Sequence, residues 1–230
     1  GGQSLVPLMN LRMARPELLL DINQLTELSG IRVEDDRLVI GALTRHVDVL
    51  NSSDVRRHAP LISDAMPHVA HDAIRNRGTF GGSVALADLA AELPACCLAL
   101  DAEIELRSQA GSRTVPATDF FLGAYETARA DTEALVAVHI PIKKDTTSFF
   151  DELSRRHGDY ALAGLAARAS ITGNHLSEVR LVFFGVEDRP LRAKATEAAL
   201  EKADATAAEA ALEVDLDPID DPQTSSAARR

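Results

Sequence analysis

Ile74-Arg75-Asn76-Arg77-Gly78-Thr79-Phe80-Gly81-Gly82-Ser83 places a glycine pair directly before a hydroxyl side chain, and Gly1-Gly2-Gln3-Ser4 repeats that grouping at the start of the chain. A glycine pair lets the main chain approach a ligand closely and permits positive φ. Successive backbone N–H groups in such a turn form a concave anion site, to which a Ser or Thr hydroxyl adds a donor. Two such turns suit the two halves of one diphosphate. Each taken alone also reads as an ordinary tight turn, because short glycine motifs often match by chance. Neither fits the GxGxxG fingerprint or the P-loop with its lysine, so Rossmann and kinase readings are poor.

The charge balance agrees with backbone donors. The 230 residues carry 24 Lys and Arg against 35 Asp and Glu, a net charge of −11. An acidic chain is a poor partner for nucleic acid. With 4% aromatic residues and no Trp, it also lacks a base-stacking platform. Cys96 and Cys97 are adjacent, with no CxxC spacing, so no zinc or iron–sulfur site is expected in this chain. A reducing, cytoplasmic compartment fits two unpaired thiols. His68 and His71 share a helical side but lack a third ligand, and the seven histidines are expected on surfaces or loops. Ser4 and Ser83 sit in no GxSxG motif, so a hydrolase is discounted. Arg12, Arg15, Arg75 and Arg77 read mostly as solvated charges. No stretch approaches the roughly 20 apolar residues of a membrane span, and the opening residues do not form a leader. Both ends of a longer protein are expected to be missing: the first glycine turn has no strand before it, and the Asp/Pro/Ser-rich stretch 215–230 stops abruptly.

Along the chain, Leu18–Ile22 reads as a buried strand and Ile31–Gly41 as a hairpin. Thr44 is placed to cap a helix through Leu50, and Pro60 to open another. Arg75–Ser83 reads as a loop, and Leu89–Leu100 as an apolar helix kinked at Pro94. Glu103–Arg107, Thr114-Val115 and Leu135–Ile140 alternate as strands, and Lys143–Ser148 is a polar linker. Phe149–Arg156, Leu165–Ile171 and Val179–Gly185 follow as strands, the last two joined by the turn Thr172-Gly173-Asn174-His175. An Ala-rich helix over 192–212, interrupted near Asp204, comes last. The pattern is α+β in two parts.

The two glycine turns also carry a family resemblance. The segment Gly1–Arg12 resembles the first flavin loop of the molybdenum hydroxylase medium subunits, the FAD-binding subunits of carbon monoxide dehydrogenase, xanthine dehydrogenase and relatives, and Ile74–Ser83 resembles the second. Ala87-Asp88-Leu89-Ala90-Ala91-Glu92-Leu93-Pro94 resembles the stretch that follows, and Arg155-Arg156-His157-Gly158-Asp159-Tyr160-Ala161 a later stretch near the flavin. The resemblance implies a vanillyl-alcohol-oxidase-type (PCMH) FAD-binding domain over 1–142, lacking its N-terminal strand–helix–strand unit. A small α+β C-terminal flavoprotein domain over 149–230, lacking its last helix, would follow.

Carried over residue by residue, the resemblance puts Gly1, Gly2, Gln3 and Ser4 on one side of the FAD pyrophosphate. Thr79, Phe80, Gly81, Gly82 and Ser83 lie on the other, Phe80 through its backbone. Glu92 is placed on a ribose hydroxyl or is a solvated helix charge; Tyr160 lies against the isoalloxazine or is a half-buried core residue; Asp88 reads better as a helix N-cap. Two departures stand out. Asp151 lies about where some relatives carry Lys, and Phe80 replaces a commoner Ile or Leu. Neither loop holds a His or Cys, so the FAD is expected to be noncovalent. The implied role is electron transfer. A molybdenum cofactor on a large molybdopterin subunit oxidises the substrate, [2Fe–2S] clusters on a small subunit relay electrons, and FAD here passes them to NAD⁺, a quinone or oxygen. A dimer of heterotrimers is implied, and no catalytic acid–base pair in this chain. A flavin-free assembly subunit and a stand-alone FAD oxidoreductase of the same fold are the alternatives.

Overall fold

A computed structural model describes residues 1–173, 175–220 and 224–229. Its strands are β1 (Ile31–Glu34), β2 (Arg37–Gly41), β3 (Glu103–Ser108), β4 (Gly111–Pro116), β5 (Phe121–Gly123), β6 (Glu126–Thr127), β7 (Ala134–Pro141), β8 (Thr146–Ser154), β9 (Ala161–Thr172), β10 (His175–Phe184) and β11 (Leu191–Arg192). Its helices are α1 (Leu5–Asn10), α2 (His46–Asn51), α3 (Ser53–His58), α4 (Pro60–Ala65), α5 (Asp72–Arg75), α6 (Phe80–Leu86), α7 (Glu92–Ala99), α8 (Ala117–Phe120), α9 (Lys194–Glu201), α10 (Ala205–Asp215) and α11 (Ser226–Arg229). Among the described residues, β1-β2-β7-β3-β4 form one antiparallel sheet and β11-β10-β9-β8 a second. The fold is thus α+β.

Helix α7 joins the second sheet to the helices of the first half of the chain. Its sequence, Glu-Leu-Pro-Ala-Cys-Cys-Leu-Ala, has no polar face, and a helix apolar all round must be covered all round. Every one of its residues is buried, and it packs against β9 and β10 as well as α4 and α6. Both thiols lie inside it, unpaired, and burial pushes Cys97 up to about 12, so neither is reactive. Pro94 does not kink the helix: it is the third residue, where no intrahelical acceptor awaits its missing N–H.

Other expectations are corrected. Leu18–Ile22 forms no strand, and Leu18, Leu19, Leu20 and Ile22 are exposed. The run ends in an Asx turn, where the Asp21 carboxylate accepts from Asn23 N at 2.9 Å and Nδ2 at 2.6 Å. Thr44 does not cap α2; its Oγ1 instead accepts from Gly30 N at 2.9 Å and donates to Gly30 O at 3.0 Å. The polar linker is shorter than read, because β8 begins at Thr146. The helical break at Asp204 is present, and that residue caps α10 through Ala207 N at 2.9 Å. Asn174 of the expected turn, and residues 221–223 and 230 of the tail, lie outside the described residues. No helix among the described residues is long and apolar enough to cross a membrane.

A charged cluster also ties the sheets together. Arg168 on β9, only 3% exposed, donates from Nη2 to Asp101 Oδ2 at 2.7 Å and from Nε to Ala99 O at 3.1 Å. Arg180 donates from Nε to Asp101 Oδ1 at 3.0 Å. Asp101 sits at φ +52°, which Asn tolerates well. Asp101→Asn therefore keeps the backbone but strands a buried guanidinium. A loss of about 3 kcal/mol is expected, read as a lower urea midpoint at unchanged slope.

Candidate functional site

The two glycine turns meet. Gly2 adopts φ +74° just ahead of α1, with Val6 N donating to Gly2 O at 3.0 Å and Leu8 N to Ser4 O at 3.2 Å. A Cβ on Gly1 would overlap the carbonyl of Arg77, so the turns touch through backbone. The expected loop Arg75–Ser83 is only partly a loop. Thr79 is the N-cap of α6, its Oγ1 accepting from Gly82 N at 3.2 Å, and the glycine pair lies in the first helical turn. Gly81 must be glycine because a Cβ there would sit 2.6 Å from Ala42 Cα.

Together the turns line a cleft of about 550 Å³. Gly1, Gly2, Gln3, Ser4, Thr79, Gly82 and Ser83 all face it, as do Glu92 and Tyr160. Phe80 and Gly81 do not: Phe80 is fully buried in the core, and Gly81 backs onto Ala42. The far wall comes from the loop joining β8 and β9, through Gly158, Asp159 and Tyr160. Gly158 holds φ +83° and passes so close to Ala70 O and His71 that a Cβ would lie 2.7 Å from each.

Residues that the sequence did not assign to a ligand site also hold this cleft. Arg45 donates to Arg77 O and, at 2.8 Å, to Asn23 Oδ1, while His46 N donates to Gly78 O at 3.1 Å. Arg75 is not a solvated charge. Its Nη1 donates to Val69 O at 2.9 Å and Ala70 O at 2.7 Å, and its guanidinium also pairs with Asp72. His46 is no surface histidine either. Its side chain packs on Gly78, and neither ring nitrogen has a hydrogen-bond partner. Burial pushes it down to about 4, against a partial opposing effect of the Thr79 backbone.

The acidic end of the cleft is buried as well. Glu92 is 8% exposed, which rules out a solvated helix charge. Burial, reinforced by the charges of Glu152 and Asp88, raises it to about 8. Asp88 is not a helix N-cap. Its Oδ1 accepts from Ala90 N at 3.0 Å and its Oδ2 from the Tyr125 hydroxyl at 3.1 Å. Tyr160 is 66% exposed, so it is no core residue.

Glu92 gives the protein a distinctive pH response. Between its ordinary value of 4.5 and about 8, the folded state holds a proton that the unfolded state releases. Stability therefore falls as pH rises through that window, by up to about 1.4 kcal/mol per pH unit. Glu152, raised by burial to about 7, adds a slope of the same sign below pH 7, so thermal melts of Glu92→Gln are expected to be shallower than the parent's throughout and to lose the slope between pH 7 and 8.

Known proteins of the same shape and sequence complete the picture. The family described as the FAD binding domain in molybdopterin dehydrogenase matches residues 1–143, and the CO dehydrogenase flavoprotein C-terminal domain matches residues 148–230. The 6-hydroxypseudooxynicotine dehydrogenase complex subunit alpha of Paenarthrobacter nicotinovorans is 40% identical over 226 residues, covering 95% of this chain and 76% of the relative. The carbon monoxide dehydrogenase medium chain of Hydrogenophaga pseudoflava is 40% identical over 193 residues, covering 84% and 67%. A crystal structure of carbon monoxide dehydrogenase from that organism superposes with a TM-score of 0.95 at 38% identity, over 99% of this chain and 82% of that one. The chain belongs to the FAD-binding medium subunits of the molybdenum hydroxylases, oxidoreductase complexes of the carbon monoxide and xanthine dehydrogenase type.

Proposed function

We propose that this chain holds FAD noncovalently across the two glycine turns and passes electrons from the [2Fe–2S] clusters of a small partner subunit to an external acceptor. A molybdopterin large subunit would oxidise the substrate, within a dimer of heterotrimers in the cytoplasm. The observation that carries this reading is the meeting of the two turns at one cleft. FAD, when bound, supplies the electron-accepting chemistry. The protein's part is to bind and orient it. Backbone N–H groups of Gly1 and Gly2, with the Gln3 amide and the Ser4, Thr79 and Ser83 hydroxyls, bind the two phosphates without a lysine, while Gly82 N and Ser83 N, donating to Thr79 Oγ1 at 3.2 Å and Thr79 O at 3.1 Å, fix the shape of the second turn. Phe80 and Gly81 act indirectly, by seating the second turn against the core. Glu92, neutral at pH 7, both donates to and accepts from a ribose hydroxyl. Tyr160 covers a face of the ring system. In this reading the chain divides into an FAD-binding domain over 1–142 and a C-terminal domain over 149–230; β7 ends at Pro141, and β8, which runs Thr146–Ser154, already contains residue 149.

The test is purification of the full-length protein from its natural source. The expected result is a yellow complex with about one FAD per copy of this chain, together with iron and molybdenum on co-purifying chains. A colourless complex would instead mark an assembly subunit, and a yellow protein free of iron and molybdenum a stand-alone oxidase.

A further inference from the structure

Gly158 is where the loop joining β8 and β9 rests on the first half of the chain, and the fit there is tight. Its φ is +83°, and a Cβ would lie 2.7 Å from Ala70 O and 2.7 Å from His71 Nδ1. Ala70 itself holds φ +48°, which a residue with a Cβ rarely adopts. Two unusual backbone conformations thus press on each other across the cleft wall. Such outliers persist only where the surrounding contacts hold them.

Arg75 supplies the holding contact. Its side chain is 12% exposed. Nη1 donates to Ala70 O at 2.7 Å, the same oxygen on which Gly158 rests, and to Val69 O at 2.9 Å and Pro67 O at 3.3 Å. Asp72 pairs with Nη2 and fixes the guanidinium. Charge-assisted hydrogen bonds of this kind are the strong ones. The helix that carries Arg75, α5, runs directly on into the second glycine turn, where Gly78 N donates to Ile74 O at 2.7 Å. One short element therefore fixes both the second turn and the seat of the far wall.

Tyr160 stands two residues beyond Gly158 and lines the same cleft. At 66% exposure its ring has little packing to place it, so the backbone of the loop does so. We propose that Arg75 is a positioning residue: through Ala70 and Gly158 it sets the spacing between the Tyr160 wall and the glycine turns, and with it the cover over the cofactor's ring system. The inference rests on the flavin function proposed above, and it deepens it. The second turn has anchors of its own. Arg45 donates to Arg77 O, His46 N to Gly78 O at 3.1 Å and Phe80 N to Thr44 O at 2.9 Å. Loss of the Arg75 side chain is therefore felt at the ring and not at the phosphates.

Arg75→Met tests this in the purified complex, because it keeps an unbranched side chain and removes every donor. FAD content is measured first, then quenching of the bound flavin's fluorescence by iodide. FAD content is expected to match the parent's, while the quenching constant rises about fivefold, the population ratio that one aromatic contact supports. Tyr160→Leu should give the same rise, and the double variant no more than either change alone. Gly158→Ala strains the same seam from the loop side and serves if Arg75→Met fails to assemble. Parent-like quenching in either seam variant with FAD bound would overturn the assignment, as would additive rises in the double variant. Loss of FAD from both seam variants would overturn it too, by placing the seam in the phosphate site. A parent complex without flavin would overturn the functional reading itself.

Discussion

Valine at both Gly81 and Gly82 is expected to yield protein without bound flavin, a loss of affinity of at least about 100-fold, or ~2.7 kcal/mol. The two positions fail for different reasons. At Gly81 a Cβ lies 2.5 Å from Ala42 Cβ and 2.6 Å from its Cα, so the second turn is pushed off the turn after β2 that seats it. At Gly82 a Cβ lies 2.6 Å from Thr79 Oγ1, where it breaks the cap on α6 and fills the cleft between the turns. Gly82→Val alone is the sharper variant. It disturbs no core contact and should cost about 1 kcal/mol of stability through the lost cap, yet it too should elute colourless. A Gly82→Val protein that retains its flavin absorbance would remove the second turn from the binding site.

Gly164→Ala is expected to be the most destabilising single-methyl change in the second sheet. Gly164 pairs with Phe184 across β9 and β10, and a Cβ there would overlap the aromatic ring. That ring is fully buried and stacks on Phe150 at 5.7 Å, so it has nowhere to retreat. Overpacking of this kind costs about 3 kcal/mol, measurable as a lower urea midpoint. Phe184→Leu should destabilise on its own through a cavity. Combined with Gly164→Ala, it should recover part of the loss, because the smaller side chain makes room for the methyl. Strict additivity in that double-mutant cycle would show that the two sites do not clash.

Local chemistry was legible in the sequence, and long-range cover was not. Both glycine turns, the hairpin over Ile31–Gly41 and the break at Asp204 are written in adjacent residues. The helix over Phe80–Leu86 was hidden because a glycine pair looks like loop. Only the close pass of Ala42 explains why that helix tolerates Gly81. Leu18–Ile22 misled in the opposite direction: an apolar run signals burial only where another element covers it. Arg75 and His46 read as surface or loop residues in the sequence. His46 is covered by Gly78, 32 residues further on, while Arg75 is held by carbonyls of the irregular stretch just before it, Val69 O and Ala70 O, which no periodicity announces. Glu92 was identified by resemblance, while its neutral state follows from burial.

The helix over Glu92–Ala99 is enclosed by the second sheet on one side and by α4, α6 and α8 on the other, and begins at the residue that faces the cleft. No part of it can open without parting the two halves of the molecule. Its amides should therefore exchange with heavy water only through global unfolding, later than those of the peripheral hairpins. Ligand occupancy at one end of this rod is then felt by the whole chain as added cooperativity, so the halves would melt together rather than in sequence.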